Sequence, residues 1–131
     1  MTADEIADRM VMVLRSFVDR VRGRLSREVG GARFDGVDDH GVRSPYASFW
    51  LADGDDELIL VAYLRQAGSG LKCTADLGVY RETLSEMPPQ TLLNPDNSEQ
   101  VEALLKEFTA FVDAQEDEAV RVLQRDAEMR R

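Results

Sequence analysis

The stretch ELILVAYLRQAGSGLKCTADLGV, residues 57–79, decides the fold. Its first half, Glu57 to Gln66, contains Leu58-Ile59-Leu60-Val61, which is apolar on both faces. Such a run predicts a central strand buried on both sides. Ala67-Gly68-Ser69-Gly70 is a turn. Beyond it Leu71, Cys73, Ala75, Leu77 and Val79 alternate with Lys72, Thr74, Asp76 and Gly78, the pattern of a half-buried strand with one wet face. A connection this short makes a hairpin, so the sheet is expected to be an antiparallel meander.

Working upstream, Asp53-Gly54-Asp55-Asp56 reads as a second turn, and Tyr46 to Ala52 as an aromatic-rich strand introduced by Pro45. Ala32 to Val37 reads as a weak edge strand before the loop Asp38-Asp39-His40-Gly41. Thr2 and Glu5 form a T-x-x-E capping box, which starts a helix at the N-terminus. Ile6, Met10, Val13, Leu14, Phe17, Val21 and Leu25 then recur at helical steps. Gly23 weakens that helix, and the pair Gly30-Gly31 is expected to stop it.

Downstream, Tyr80 to Leu93 fits either a fourth strand or an irregular crossover, with Pro88-Pro89 interrupting it. Asn94-Pro95-Asp96-Asn97-Ser98 closes that stretch and supplies an N-cap at Asn97 or Ser98. Val101, Leu104, Leu105, Phe108, Phe111, Val112, Ala119, Val122 and Leu123 follow on a helical period. The expected architecture is therefore α+β: an antiparallel meander of three to four strands, flanked by long N-terminal and C-terminal helices packed on the sheet. Residues 1–131 read as a single domain. A helix running unbroken from Ser98 to Met129 would be about 48 Å long. A domain of this size is only about 36 Å across. Either the helix breaks near Gln115-Glu116-Asp117-Glu118 and folds back, or the overhang, with Ala119, Val122, Leu123 and Ala127 still apolar, packs on a second subunit. The lack of Gly or Pro between Ser98 and Arg131 favours the overhang and a homodimer.

Hydrophobic residues make up 44% of the chain and charged ones 31%, a globular composition, and the net charge is -9. That charge opposes binding to nucleic acid or to an anionic membrane. It is unevenly spread: residues 1–33 carry a net +2, residues 34–97 a net -7 and residues 98–131 a net -4. One Cys excludes an internal disulfide and fits a reducing compartment. The early apolar run Met10 to Leu14 is too short for a secretory signal, and no segment approaches the roughly 20 apolar residues of a membrane span. A cytoplasmic protein is expected.

Each candidate site has a plain structural counterpart. The acids of Asp53–Glu57 are spaced like calcium ligands, but the loop would need Gly where Leu58 stands and Glu where Leu64 stands. An acidic hairpin tip is the better reading, and Asp53, Asp55, Asp56 and Glu57 are then candidates for meeting a partner. Arg9, Arg20, Arg24 and Arg27 lie on a stripe along one edge of the first helix. They are expected to cover the core and pair with nearby acids; the alternative is a partner-binding ridge at Arg20, Arg24 and Arg27. His40 has no second His or Cys nearby to build a zinc site. Cys73 falls on the core side of its strand as an inert hydrophobe. Gly68-Ser69-Gly70 matches neither a nucleophile elbow nor a phosphate loop. Tyr46, Trp50 and Tyr63 are candidates for an aromatic pocket between sheet and helices, against a role in cross-strand packing. No catalytic residue, metal ligand or cofactor is expected.

Phe49-Trp50, the Gly-containing acidic turn at Asp53–Glu57 and the apolar strand after it resemble immunity proteins of bacterial polymorphic toxin systems, as does the order helix, acidic meander, helix. The resemblance implies a protein that binds and blocks one cognate toxin without catalysis. Acidic proteins of that kind often meet basic nuclease domains, which suits the net charge of -9. The leading expectation is a non-enzymatic acidic interaction domain, of immunity or chaperone-like type, that binds a partner protein. The alternatives are a small-molecule binding domain or an enzyme with a carboxylate-based site.

Overall fold

A computed structural model of the chain describes residues 2–25, 34, 36, 43–50, 57–79 and 82–129, with side chains to Arg125. The elements are α1 (Ala3–Arg24), β1 (Tyr46–Trp50), β2 (Glu57–Ala67), β3 (Gly70–Val79), β4 (Glu82–Leu92), α2 (Ser98–Ala114) and α3 (Glu116–Met129). The four strands form one antiparallel sheet in sequence order. Both helical segments pack on one of its faces, which is the α+β arrangement the hydrophobic pattern predicts. Among the described residues no helix is long and apolar enough to cross a membrane.

Local chemistry sets the element boundaries. The Thr2 hydroxyl accepts from the Glu5 N–H at 3.1 Å while the Glu5 carboxylate accepts from the Thr2 N–H at 3.2 Å, which completes the capping box. The helix ends earlier than Gly30-Gly31: Leu25 is already extended and turns its half-buried side chain onto the core. Gly23, one residue before the last turn closes, removes the side chain that would have favoured continuing. In the β2–β3 hairpin, Ala67 pairs with Gly70, and Gly68 takes φ 61°, the left-handed conformation a two-residue turn demands.

The ambiguous stretch after Val79 is a fourth strand at the sheet edge. Pro88 and Pro89 are tolerated because the register slips there: Cys73 faces Gln90 while Ala75 faces Met87, so β4 carries an extra residue. Bulges and edges are the two places where a strand can hold proline. The weak strand assigned to Ala32–Val37 lies mostly outside the described residues. Within it, the carbonyls of Phe34 and Gly36 accept from the N–H groups of Tyr46 and Ser44 at 3.3 and 2.8 Å.

The C-terminal helix is not continuous. At Gln115 the backbone N–H reaches Val112 O at 3.0 Å, a three-residue step, and the side-chain amide donates to Phe111 O at 3.0 Å in its place. Gln115, buried at 6% exposure, thus satisfies with its own side chain the carbonyl that the bend releases. Glu116, Asp117 and Glu118 then occupy the first turn of α3, where carboxylates suit the helix dipole. The bend keeps α3 against α1, so Ala119, Val120 and Leu123 are buried within this chain. Of the residues expected to need a second subunit, Ala119 and Leu123 are thus covered by this chain itself and Val122 is partly covered, while the side chain of Ala127 lies outside the described residues.

The basic stripe of α1 explains the uneven charge. Arg20 Nε donates to Glu116 and its Nη2 to Asp113, both at 2.7 Å; Arg24 Nη1 reaches Glu116 at 2.8 Å and Asp117 at 2.6 Å. Arg9 pairs with Glu102. These hydrogen bonds hold the Glu116 carboxyl below its ordinary range, Arg20 first and Arg24 second. The positive N-terminal helix and the negative C-terminal pair thus neutralise one another along their seam.

Candidate functional site

With period 2, one face of β2 carries Leu58, Leu60, Ala62 and Leu64, all buried beneath the helices. Cys73 lies on the same side of β3, fully buried, where the apolar surroundings push its thiol up to about 12. The other face of β2 carries Ile59, Val61 and Tyr63, which are only half-buried. This corrects the expectation that β2 is covered on both sides. Among the described residues no helix lies on that second face, so an apolar row stands open there.

The open face holds a groove of about 680 Å³. Antiparallel register builds it in rows. Tyr46, Val61, Asp76 and Glu86 stand side by side across all four strands, and Ile59 lies beside Gly78, which faces Thr83. Gly78 has no side chain to fill the floor, and a Cβ there would come within 3.0 Å of the Glu82 carbonyl. Ile59 and Val61 form the apolar base, Tyr46 and Tyr63 flank it, and Glu57, Asp76 and Glu82 supply acids along its wall.

Asp76 is the electrostatic centre of this groove. It makes no hydrogen bond or ion pair among the described residues, in contrast to the paired acids of α2 and α3. Burial raises its carboxyl above the ordinary range, and the facing Glu86 carboxylate adds to the effect. Burial also raises the Tyr63 phenol, with Asp76 contributing; Arg65, whose guanidinium lies 6.0 Å from the Tyr63 ring centroid, acts in the opposite sense. Ser48 Oγ, in the adjoining row beside Ile59, is buried without a hydrogen-bond partner among the described residues.

Because folding favours the protonated form of Asp76, the native state holds more protons than the unfolded chain, and stability falls as pH rises through that titration. Asp76→Asn is expected to stabilise the protein at pH 7 by about 0.5 kcal/mol, the scale of a cross-strand like-charge contact. The gain should vanish in acid, where the Asp76 carboxyl is protonated in both the folded and the unfolded chain. Thermal melts at pH 7 and in acid measure both limits, and a destabilised variant at pH 7 would contradict the assignment.

The residues singled out from sequence are dispersed. Tyr46 and Tyr63 line the groove, but on the face opposite the helices rather than between sheet and helices. Trp50 ends β1 opposite Glu57, while Phe49 points into the core against Phe17. Glu57 lies on the groove wall; Asp53, Asp55, Asp56, His40 and Arg27 fall outside the described residues. Arg20 and Arg24 belong to the helix seam. Sequence reading missed Ile59, Val61, Asp76 and Glu86 as a group. The hairpin turn alone aligns Val61 with Asp76, but the bulges in β4 conceal its pairing with Glu86.

No protein-family model matches the chain, and no curated protein or solved structure matches it.

Proposed function

We propose that this chain is a non-catalytic interaction protein that holds a partner protein on the open face of its sheet. The observation that carries this reading is the cross-strand row Tyr46, Val61, Asp76, Glu86, which sets apolar surface beside unpaired acid on the face the helices leave uncovered. An exposed apolar patch rimmed by charge is the usual form of a docking surface. The net charge of -9 favours a basic partner and speeds its encounter. The resemblance to immunity proteins supplies a concrete instance, a toxin domain bound and blocked in the cytoplasm.

Val61→Lys tests it. The substitution puts a charge in the middle of the patch while leaving the buried face of β2 untouched. A partner recovered from the source organism, identified, purified and titrated by calorimetry should bind the variant at least about tenfold more weakly, with the melting temperature retained. Unchanged affinity for Val61→Lys, together with loss on Arg24→Glu, would move the interface to the helix layer. A small ligand is the second reading, favoured by the groove volume of about 680 Å³, which lies within the usual range for such sites. A thermal shift with a metabolite that Val61→Lys abolishes would select it.

A further inference from the structure

The groove carries its charge at one end. Glu57, Asp76 and Glu82 line it, and Glu86 stands opposite Asp76 across the β3–β4 ladder. Among the described residues, the cations on this face are Arg65 and Lys72, side by side in the β2–β3 register near the hairpin turn. Lys72 is four residues from Asp76 along β3, a separation of about 13 Å. That exceeds the screening length of about 8 Å at physiological salt, so the acids are not neutralised from there. The titratable groups facing Asp76 are Tyr46 from β1, Tyr63 and Arg65 from β2, and Glu82 and Glu86 from β4. None of them is a cation in contact with its carboxylate. Elsewhere the chain pairs such acids: Arg20, Arg24 and Arg9 engage Asp113, Glu116, Asp117 and Glu102.

We infer that the groove receives a partner segment in which an arginine or lysine adjoins an apolar residue, with the cationic group seated between Asp76 and Glu86 and the apolar side chain resting on Ile59 and Val61. This rests on the open face being the docking surface. The cation relieves the repulsion between two facing carboxylates, and the hydrophobic neighbour covers a row that otherwise meets water. Charge-assisted hydrogen bonds in a partly desolvated site are the strong ones, so the seat determines which segment binds. A second copy of this chain is the poorer occupant, because two-fold packing on this face would set acids against acids. Affinity should fall as pH is lowered into the carboxylate range, since a protonated Asp76 offers no charge to the cation.

The test uses the whole chain, isotope-labelled, titrated with three blocked hexapeptides that alternate valine with arginine, glutamine or glutamate. The arginine peptide is expected to shift the amide signals of Tyr63, Asp76 and Glu86, to weaken with added salt, and to bind about tenfold more weakly to Asp76→Asn and to Glu86→Gln. Both variants are checked by melting, and Asp76→Asn is expected to be the more stable protein. Equal binding of the glutamine peptide would overturn the cation seat while leaving the open face as the docking surface. Arginine-peptide shifts confined to Glu116 and Asp117, indifferent to Asp76→Asn, would also overturn it. Concentration-dependent shifts at the groove without peptide would assign the face to a second copy. If no peptide binds and Val61→Lys also leaves partner affinity unchanged, the docking reading fails along with the seat.

Discussion

Leu123→Glu is expected to cost about 3 kcal/mol or more, because it places a carboxylate at a position buried among apolar side chains. Leu123 is 3% exposed and sits with Ala119 and Val120 on the buried side of α3, against α1. The apolar burial of the leucine, worth about 2 kcal/mol, is lost as well. The chain can escape the buried charge only by undocking α3, which forfeits the same contacts and strains the seam held by Arg20 and Arg24. Urea unfolding should show the drop, and amide exchange should show α3 opening first. Light scattering on the folded variant should give the wild-type mass. Unchanged stability with a halved mass would mean that the helix runs straight and reaches a second subunit after all.

Phe17→Ala should be comparably severe, at about 3–5 kcal/mol. Phe17 is fully buried, and its ring meets Phe49 of β1 edge-on, with centroids 6.1 Å apart and planes at 72°. This ring pair joins α1 to the first strand, so the cavity opens between layers rather than within one element. Relaxation is limited there, since Leu14, Val18 and Leu58 are themselves fully enclosed. Phe17→Leu keeps most of the volume and should cost less than about 1.5 kcal/mol. A cycle combining Phe17→Leu with Phe49→Leu should return a coupling of about 0.5–1.5 kcal/mol for the aromatic pair. Chemical denaturation of the four proteins measures it, and zero coupling would show that the ring geometry contributes nothing beyond volume.

Much of the candidate site was hidden for a specific reason. Tyr46 and Tyr63 drew attention as aromatics, yet aromatic identity does not say which face a residue occupies. Ile59 and Val61 looked like core because β2 is apolar on both sides. Asp76 looked like an ordinary wet-face acid, and only its position beside Val61 and opposite Glu86 distinguishes it. Gln115-Glu116-Asp117-Glu118 is the one place where the sequence offers a break in the last helix, although the lack of Gly or Pro between Ser98 and Arg131 favours a straight run. In retrospect three carboxylates in succession after Gln115 are a helix-start signal, and they mark the bend.

What the sequence determined by itself is everything that local bonding controls. The Thr2–Glu5 capping box, the Gly68-Ser69 hairpin turn, the alternation from Leu71 to Val79 and the Asn97 cap involve partners only a few residues apart, so their free energy is written in adjacent positions. The α+β class follows from them. Tertiary structure alone decided which face of β2 the helices cover, where α1 ends, how Pro88 and Pro89 fit in an edge strand, and that Gln115 bends the last helix. Each of these compares two arrangements with similar local energies. The choice falls to burial and charge pairing between residues up to 96 positions apart, as Arg20 and Glu116 are, and no short window of sequence contains both sides of such a comparison.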